Sequence, residues 1–166
     1  MSARVAEDLS SEDFGPMTRT RRFDLNVSVF VVVMRGSQVL LLRRSNTGWH
    51  DDYYSLPAGG HDGGETLVQA AARELREETG LNANPAQLHL VHMLHCRQGD
   101  SGNEWLGAFF SADEWTGTPT LREPRKHDAL DWYEIDQLPE NVIPYTRQGL
   151  LLSRAGVSFS TFGWVA

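Results

Sequence analysis

Between Gly59 and Leu81 the chain reads GGHDGGETLVQAAARELREETGL, a glycine-rich loop running straight into a helix crowded with acid. At about 100° per residue, Glu74, Glu77 and Glu78 fall within a sector of roughly 100°. Glu74 and Glu78 repel each other at i,i+4, and carboxylates near a helix C-terminus oppose its macrodipole. Two avoidable electrostatic costs therefore coincide, and a bound divalent cation would reverse both. Val68, Ala71, Ala72 and Leu75 supply an apolar stripe at i, i+3, i+4 and i+7, on a flank distinct from the carboxylates. The helix is expected from about Glu65 to Thr79, with Gly80 as the left-handed residue that ends it and Leu81 as the apolar contact. Such a helix must lie against a sheet with its acidic flank turned outward.

The rest of the chain supplies that sheet. Phe23–Met34 (FDLNVSVFVVVM) is rich in β-branched residues and reads as a buried strand. The Gly36-Ser37 pair turns it into a partner strand over Val39–Arg44. Tyr53–Leu56 is a short strand ended by Pro57, and Ala58–Gly64 reads as a loop. His89–Cys96 and Leu106–Ser111 read as strands around a polar loop at Gln98–Asn103, and Ala129–Ile135 as another. Pro144–Arg154 reads as a helix, followed by an aromatic segment over Val157–Val165. Strands on both sides of a central helix imply an α/β sandwich with a mixed sheet. Residues 1–20 form a polar tail and 21–166 a single domain.

At 166 residues the chain is long enough for one well-filled core. A net charge of −7 argues against a nucleic-acid polymer as partner, which would call for a basic patch. With Cys96 as the one cysteine, no intrachain disulfide can form. No apolar signal-type segment opens the chain, and the apolar run Val27–Met34 is too short to span a bilayer. A cytoplasmic protein without membrane partners is the expectation.

The spacing Gly-x5-Glu-x7-Arg-Glu-aliphatic-x-Glu-Glu-x-Gly-aliphatic is met at every defined position by Gly59, Glu65, Arg73, Glu74, Leu75, Glu77, Glu78, Gly80 and Leu81. The chain thus resembles the Nudix hydrolases, MutT-like members included. That resemblance implies a Nudix-type α/β/α sandwich and metal-dependent hydrolysis of a diphosphate linked to another moiety. An all-oxygen donor set suits hard cations, so Mg²⁺ or Mn²⁺ is the expected cofactor. Carried over, Glu77 and Glu78 look like the principal ligands. Glu74 looks like a ligand or the base that handles the attacking water, a role that moves between residues within the family. Arg73 would orient Glu74 or pair with Glu77, Glu65 would tie loop to helix through Arg73, and Gly59 with the carbonyl of Ala58 would face the metal. Asp62 stands where many relatives have glutamate.

Outside this motif the resemblance implies a further carboxylate ligand after a Gly-x-Pro stretch, for which Glu123, following Gly117 and Pro119, is the candidate, with Glu104 a weaker alternative. Arg44 ends a strand where relatives contact a phosphate. Trp49, Tyr54, Trp132 and Asn141 are candidates for holding the nucleoside, with Tyr53 a further aromatic beside them. His92, His95 and Cys96 are poor zinc ligands, because strand alternation points the two histidines to opposite faces. The segment Phe159–Trp164 offers a homodimer contact, although covering the domain's own core is its simpler use. The resemblance also implies subclass markers. The proline of ADP-ribose hydrolases is missing, with none from Ala86 to Thr118. The tyrosine of dinucleoside polyphosphate hydrolases, the NADH-type motif and the later arginine of the coenzyme A signature are missing too. The expected substrate is a (d)NTP or modified nucleotide, cleaved to NMP and pyrophosphate. An ADP-ribose or nucleotide-sugar pyrophosphatase and a non-catalytic nucleotide-sensing module are the alternatives.

Overall fold

A computed structural model describes residues 23–98 and 103–165, and the expected tail at 1–20 lies outside that range. The strands are β1 (Asn26–Arg35), β2 (Gln38–Arg44), β3 (Tyr54–Ser55), β4 (Ala58–Gly60), β5 (Leu88–Gln98), β6 (Asn103–Ala112), β7 (His127–Glu134) and β8 (Phe159–Phe162). The helices are α1 (Leu67–Thr79) and α2 (Pro144–Arg154). β1 is the hub: it pairs antiparallel with β4, parallel with β6, and with β2 at the base of their hairpin. β5 runs antiparallel to β6 and parallel to β8, while β2 carries β3 and β7. The eight strands form one mixed sheet between two helices, an α/β/α sandwich.

The apolar run of β1 is continuous because both of its faces are covered. Val29, Val31 and Val33 pack with Ala70, Ala71 and Leu75 of α1. Phe30 and Val32 point the other way and pack with Phe109 of β6 and Leu150 of α2. Each face buries whole aliphatic or aromatic side chains, worth about 1.5–3 kcal/mol apiece.

Three local expectations are corrected. Ala58–Gly60 is a strand rather than loop, bonded to β1 through the pairs Phe30↔Ala58, Val29↔Gly59 and Ser28↔Gly60. α1 begins at Leu67, two residues later than expected, because Thr66 caps it. The Thr66 side chain accepts from the Gln69 N–H, and the Gln69 side chain accepts from the Thr66 N–H. The buried stripe of α1 is centred on Ala70, Ala71 and Leu75 and runs on into Glu78, while Val68 and Ala72 are only partly buried. One acidic residue of the cluster therefore faces the core. Gly80 ends the helix as expected, at φ 76° with its N–H bonded to the Arg76 carbonyl.

The C-terminal aromatics cover the protein's own sheet: β8 adds to the β5 edge and Phe162 joins the α2-side core. His92 is enclosed, with Nδ1 2.7 Å from the Val157 carbonyl and Nε2 2.8 Å from the Ser160 hydroxyl. His95 lies on the opposite face against Glu104 and Trp164. Burial pushes the Cys96 thiol up to about 11, which leaves it unreactive.

Candidate functional site

The loop that follows β4 is fastened to α1 by one guanidinium. Arg73 donates through Nε and Nη2 to Glu65 (2.7 Å at the shortest), through Nη1 to Glu74 (2.8 Å) and Glu77 (3.3 Å), and through Nη2 to the Gly60 carbonyl (3.3 Å). Glu65 is held below the usual carboxylate range chiefly by that bond. Arg73 thus links the loop, β4 and two of the clustered acids.

Glu78 is 7% exposed, and its Oε2 accepts from the Ala58 N–H at 3.1 Å. Burial pushes its carboxyl well above the usual range, and the charges of Glu74 and Glu123 push the same way. Glu74 is raised as well, by burial first, against the opposing pull of Arg73. Its carboxylate lies directly over Gly59, where a Cβ would overlap the carboxyl carbon and both oxygens. Glycine is needed here for space, not for φ. Glu123 comes from a segment laid along the end of α1, where the Arg122 N–H bonds the Glu78 carbonyl. Its carboxylate stands 3.5 Å from the Lys126 ammonium.

Glu74, Glu77, Glu78 and Glu123 line one cleft of about 570 Å³ with Arg44, Arg73, Lys126 and the backbone of Ala58–Gly60. Among the described residues no three acidic, histidine or cysteine groups already converge as a closed cage. Arg73 bonds Glu74 and Glu77, while Glu78 is bonded by the Ala58 N–H instead. The donor set is nevertheless all oxygen, and two of its members carry unfavourable buried charge that a hard cation would relieve.

Arg44, Ala58, Gly59 and Gly60 also line a second cleft of about 440 Å³ on the other side of β4. Its walls are Phe30, Trp49, Trp105 and Tyr145, with Asn26, Ser28, Gln98 and Asn103 as polar groups. Trp49, one of the nucleoside candidates, is thus placed at this cleft. Tyr54, Trp132 and Asn141 are not, and for each the reason is a prior partner. Tyr54 packs edge-on against Tyr133 at 5.1 Å. Trp132 stacks on Trp115 at 5.9 Å under the Arg35 guanidinium, against the α1-side core. Asn141 spends its amide on the Asp52 carbonyl and its own carbonyl on the Tyr54 N–H. Glu104, the weaker ligand candidate, borders the aromatic cleft instead of joining the acids, and its side chain pairs with His95.

Phe30, Trp105 and Tyr145 were not foreseen. Strand parity could have grouped them, since Phe30 and Trp105 fall on one face once β1 and β6 are paired. Nothing in the sequence gave that pairing. Lys126 and His127 also escaped notice. His127 is 6% exposed, and its Nδ1 has no hydrogen-bond partner among the described residues. Burial, together with the cations Arg44 and Lys126, lowers it to about 4. A histidine kept neutral in the fold but free to protonate when unfolded costs stability as pH falls from about 6.5 toward 4. Between pH 7 and pH 4.5 the cost is about 2–3 kcal/mol. Urea unfolding at those two pH values should show a drop smaller by about that amount in His127→Asn than in the parent.

Comparison with known proteins places this arrangement. The NUDIX domain model matches residues 24–151. An uncharacterized Nudix hydrolase of Bacillus subtilis, YvcI, is 30% identical over 64% of this chain and 65% of its own. The NAD-capped RNA hydrolase NudC of Stutzerimonas stutzeri is 33% identical over 69% of this chain, which spans only 38% of that protein. Among solved structures, a MutT NUDIX hydrolase from Burkholderia pseudomallei superposes with a TM-score of 0.71 at 26% identity, over 78% of this chain and 98% of the other. Among the described residues no helix is long and apolar enough to cross a membrane. A family model that spans most of the chain, with Gly59, Arg73, Glu74, Glu77 and Glu78 of the motif at one cleft, makes this protein a member of the NUDIX family.

Proposed function

We propose that the protein hydrolyses a phosphoric anhydride in a nucleoside diphosphate bearing a further group, with a nucleoside triphosphate, giving NMP and pyrophosphate, as the favoured case. One observation carries the reading: the acidic cleft and the aromatic, amide-lined cleft share Arg44 and the Ala58–Gly60 strand. A nucleotide needs that pairing, an electron-rich surface for its base beside a charge-managing site for its phosphates. Glu77, Glu78, Glu123 and Glu74, with the Ala58 carbonyl, would hold Mg²⁺ or Mn²⁺. Such a cation neutralises the phosphate oxygens and acidifies water. Arg44 orients the phosphate at the junction of the clefts. Glu74, held by Arg73 and lifted by burial, accepts the proton as water adds to one phosphorus and the bridging P–O bond breaks.

Glu104, the acid that borders the aromatic cleft, is engaged by His95, and the amides of Asn26, Gln98 and Asn103 suit a neutral base. Net charge −7 favours a small nucleotide over a polymer. Several relatives are named for acting on RNA, among them RNA pyrophosphohydrolases and the NAD-capped RNA hydrolase NudC, so a capped RNA is the specific competing substrate. The test is a panel of NTPs, dNTPs, oxidised dNTPs, ADP-ribose, nucleotide sugars and capped RNA with Mg²⁺. The expected result is kcat/KM for a (d)NTP or modified nucleotide at least about tenfold above the others, a difference of about 1.4 kcal/mol in transition-state binding. Cleavage confined to ADP-ribose, sugar nucleotides or RNA ends overturns the substrate. Nucleotide stabilisation without turnover would instead show a sensing module. Mg²⁺ or Mn²⁺ alone should raise the Tm, and a Tm indifferent to both would remove the cation from the reading.

A further inference from the structure

The loop Ser45–Asp52, between β2 and β3, is built at a conformational cost and forms the outer rim of both clefts. Asn46 (φ 57°), His50 (φ 45°) and Asp52 (φ 68°) join Gly48 in the left-handed region, which L side chains rarely adopt. Such conformations persist only where the surroundings over-determine them. Backbone bonds from Ser45, Asp52 and Tyr53 hold the loop's two ends, and one carboxylate holds its middle. Asp51 Oδ1 accepts from the Thr47 N–H (3.0 Å) and the Thr47 hydroxyl (2.7 Å), and Oδ2 accepts from the Gly48 N–H (2.9 Å).

The folded loop then dictates the pose of two residues at the clefts. Arg44 donates through Nε to the Trp49 carbonyl (2.8 Å) and through Nη2 to the Thr47 hydroxyl oxygen (3.0 Å). These bonds occupy the Nε–Nη2 edge of its guanidinium, and Nη1, which has no hydrogen-bond partner among the described residues, remains to meet a ligand. Trp49 is 48% exposed and leans on His50, with ring centroids 4.6 Å apart, so its indole borders the aromatic cleft from one side. Its exposed face is the sort of surface that a planar base covers.

We propose that Asp51 is a positioning residue for substrate affinity. Its carboxylate latches the left-handed loop so that Arg44 and Trp49 meet the phosphate and base of one nucleotide. The inference rests on the nucleotide reading above. Asp51 lines neither cleft and touches no acid of the cluster, so its loss acts on binding and not on the chemical step.

Asp51→Ala should raise KM for the favoured nucleotide about tenfold or more, with kcat within about threefold of the parent. Asp51→Asn should recover part of the loss. Its amide oxygen still accepts from Thr47, while its NH₂ opposes the Gly48 N–H donor. In an Arg44→Ala background, Asp51→Ala should raise KM by a visibly smaller factor, because the latch acts through Arg44. A loop brace with no role in binding predicts unchanged KM in a folded Asp51→Ala protein, or equal factors in both backgrounds, and either result overturns the proposal. Should the parent cleave no nucleotide, the hydrolysis reading fails alone if an α,β-methylene nucleotide binds the parent at least about tenfold tighter than Asp51→Ala. Absence of both cleavage and binding overturns the two together. A melting curve for each variant identifies any that fail to fold, and Asp51→Asn then carries the comparison.

Discussion

Glu78→Gln should abolish measurable turnover, a fall of at least about 10³ in kcat or some 4 kcal/mol, while the protein in chelator melts higher than its parent. The two halves share one cause. Glu78 is nearly enclosed, and the charges of Glu74 and Glu123 bear on it. Its carboxylate takes one hydrogen bond from the described protein, from the Ala58 N–H. Glutamine keeps an oxygen to accept that bond and offers an NH₂ that neighbouring carboxylates can accept. What disappears is a desolvated negative charge beside like charges, and each kcal/mol so recovered raises Tm by about 2–4 °C in a chain of this size. The same substitution removes one anionic donor from the cleft, so the rise in Tm produced by Mg²⁺ or Mn²⁺ should shrink with it. Steady-state assays and melting curves with and without cation read all three effects. A variant that turns over normally, or that melts lower in chelator, would refute the ligand assignment.

Gly59→Ala should come second in size, with Gly60→Ala as its control. The added methyl at position 59 overlaps the Glu74 carboxyl group, whereas at position 60 the nearest foreign atom is Asp62 Oδ1 at 4.0 Å. Neither glycine has positive φ, so strain does not enter the comparison. At position 59 the Glu74 carboxylate must swing away and give up its 2.8 Å contact with Arg73. Turnover should drop at least about 10²-fold, as happens when a group that handles the reacting water is misplaced. Overpacking should cost about 1–3 kcal/mol of stability. Gly60→Ala should stay within about threefold of the parent in kcat. Equal effects at the two positions would mean that backbone flexibility, and not room for Glu74, is what the loop requires.

How far the sequence could be read depended on how local each signal was. α2 was located end to end, because Pro144 can open a helix but not continue one. Gly80 marked the end of α1 through a backbone requirement of its own. The motif grouped Glu74, Glu77 and Glu78, which line one cleft, because its spacing is a property of one helix. It did not reveal that Glu78 shares the buried flank with Leu75, since that depends on how the helix is rolled against β1 and β4. Nor did glycine content reveal β4, whose strand character comes entirely from its partner. The nucleoside candidates fared worst. Aromatic residues look alike until pairing assigns faces, so Trp132 and Tyr54 resembled Phe30 and Trp105 on paper, and only the latter two border a cleft. The left-handed loop around Asp51 has no period at all, and its bonds run between side chain and backbone over three or four residues.

The three-residue pairing of β4 with β1 carries more than its length implies. Strand side chains alternate, so a slip of a single position would put Ala58 or Gly60 beneath Glu74 and turn the Ala58 N–H away from Glu78. Both clefts would lose their common wall in that one error. A molecule could then hold nearly all of its helix, core and spectroscopic signature and still be inert. Turnover per mole therefore counts the molecules whose short edge strand found its register, a quantity that circular dichroism and melting curves would average away.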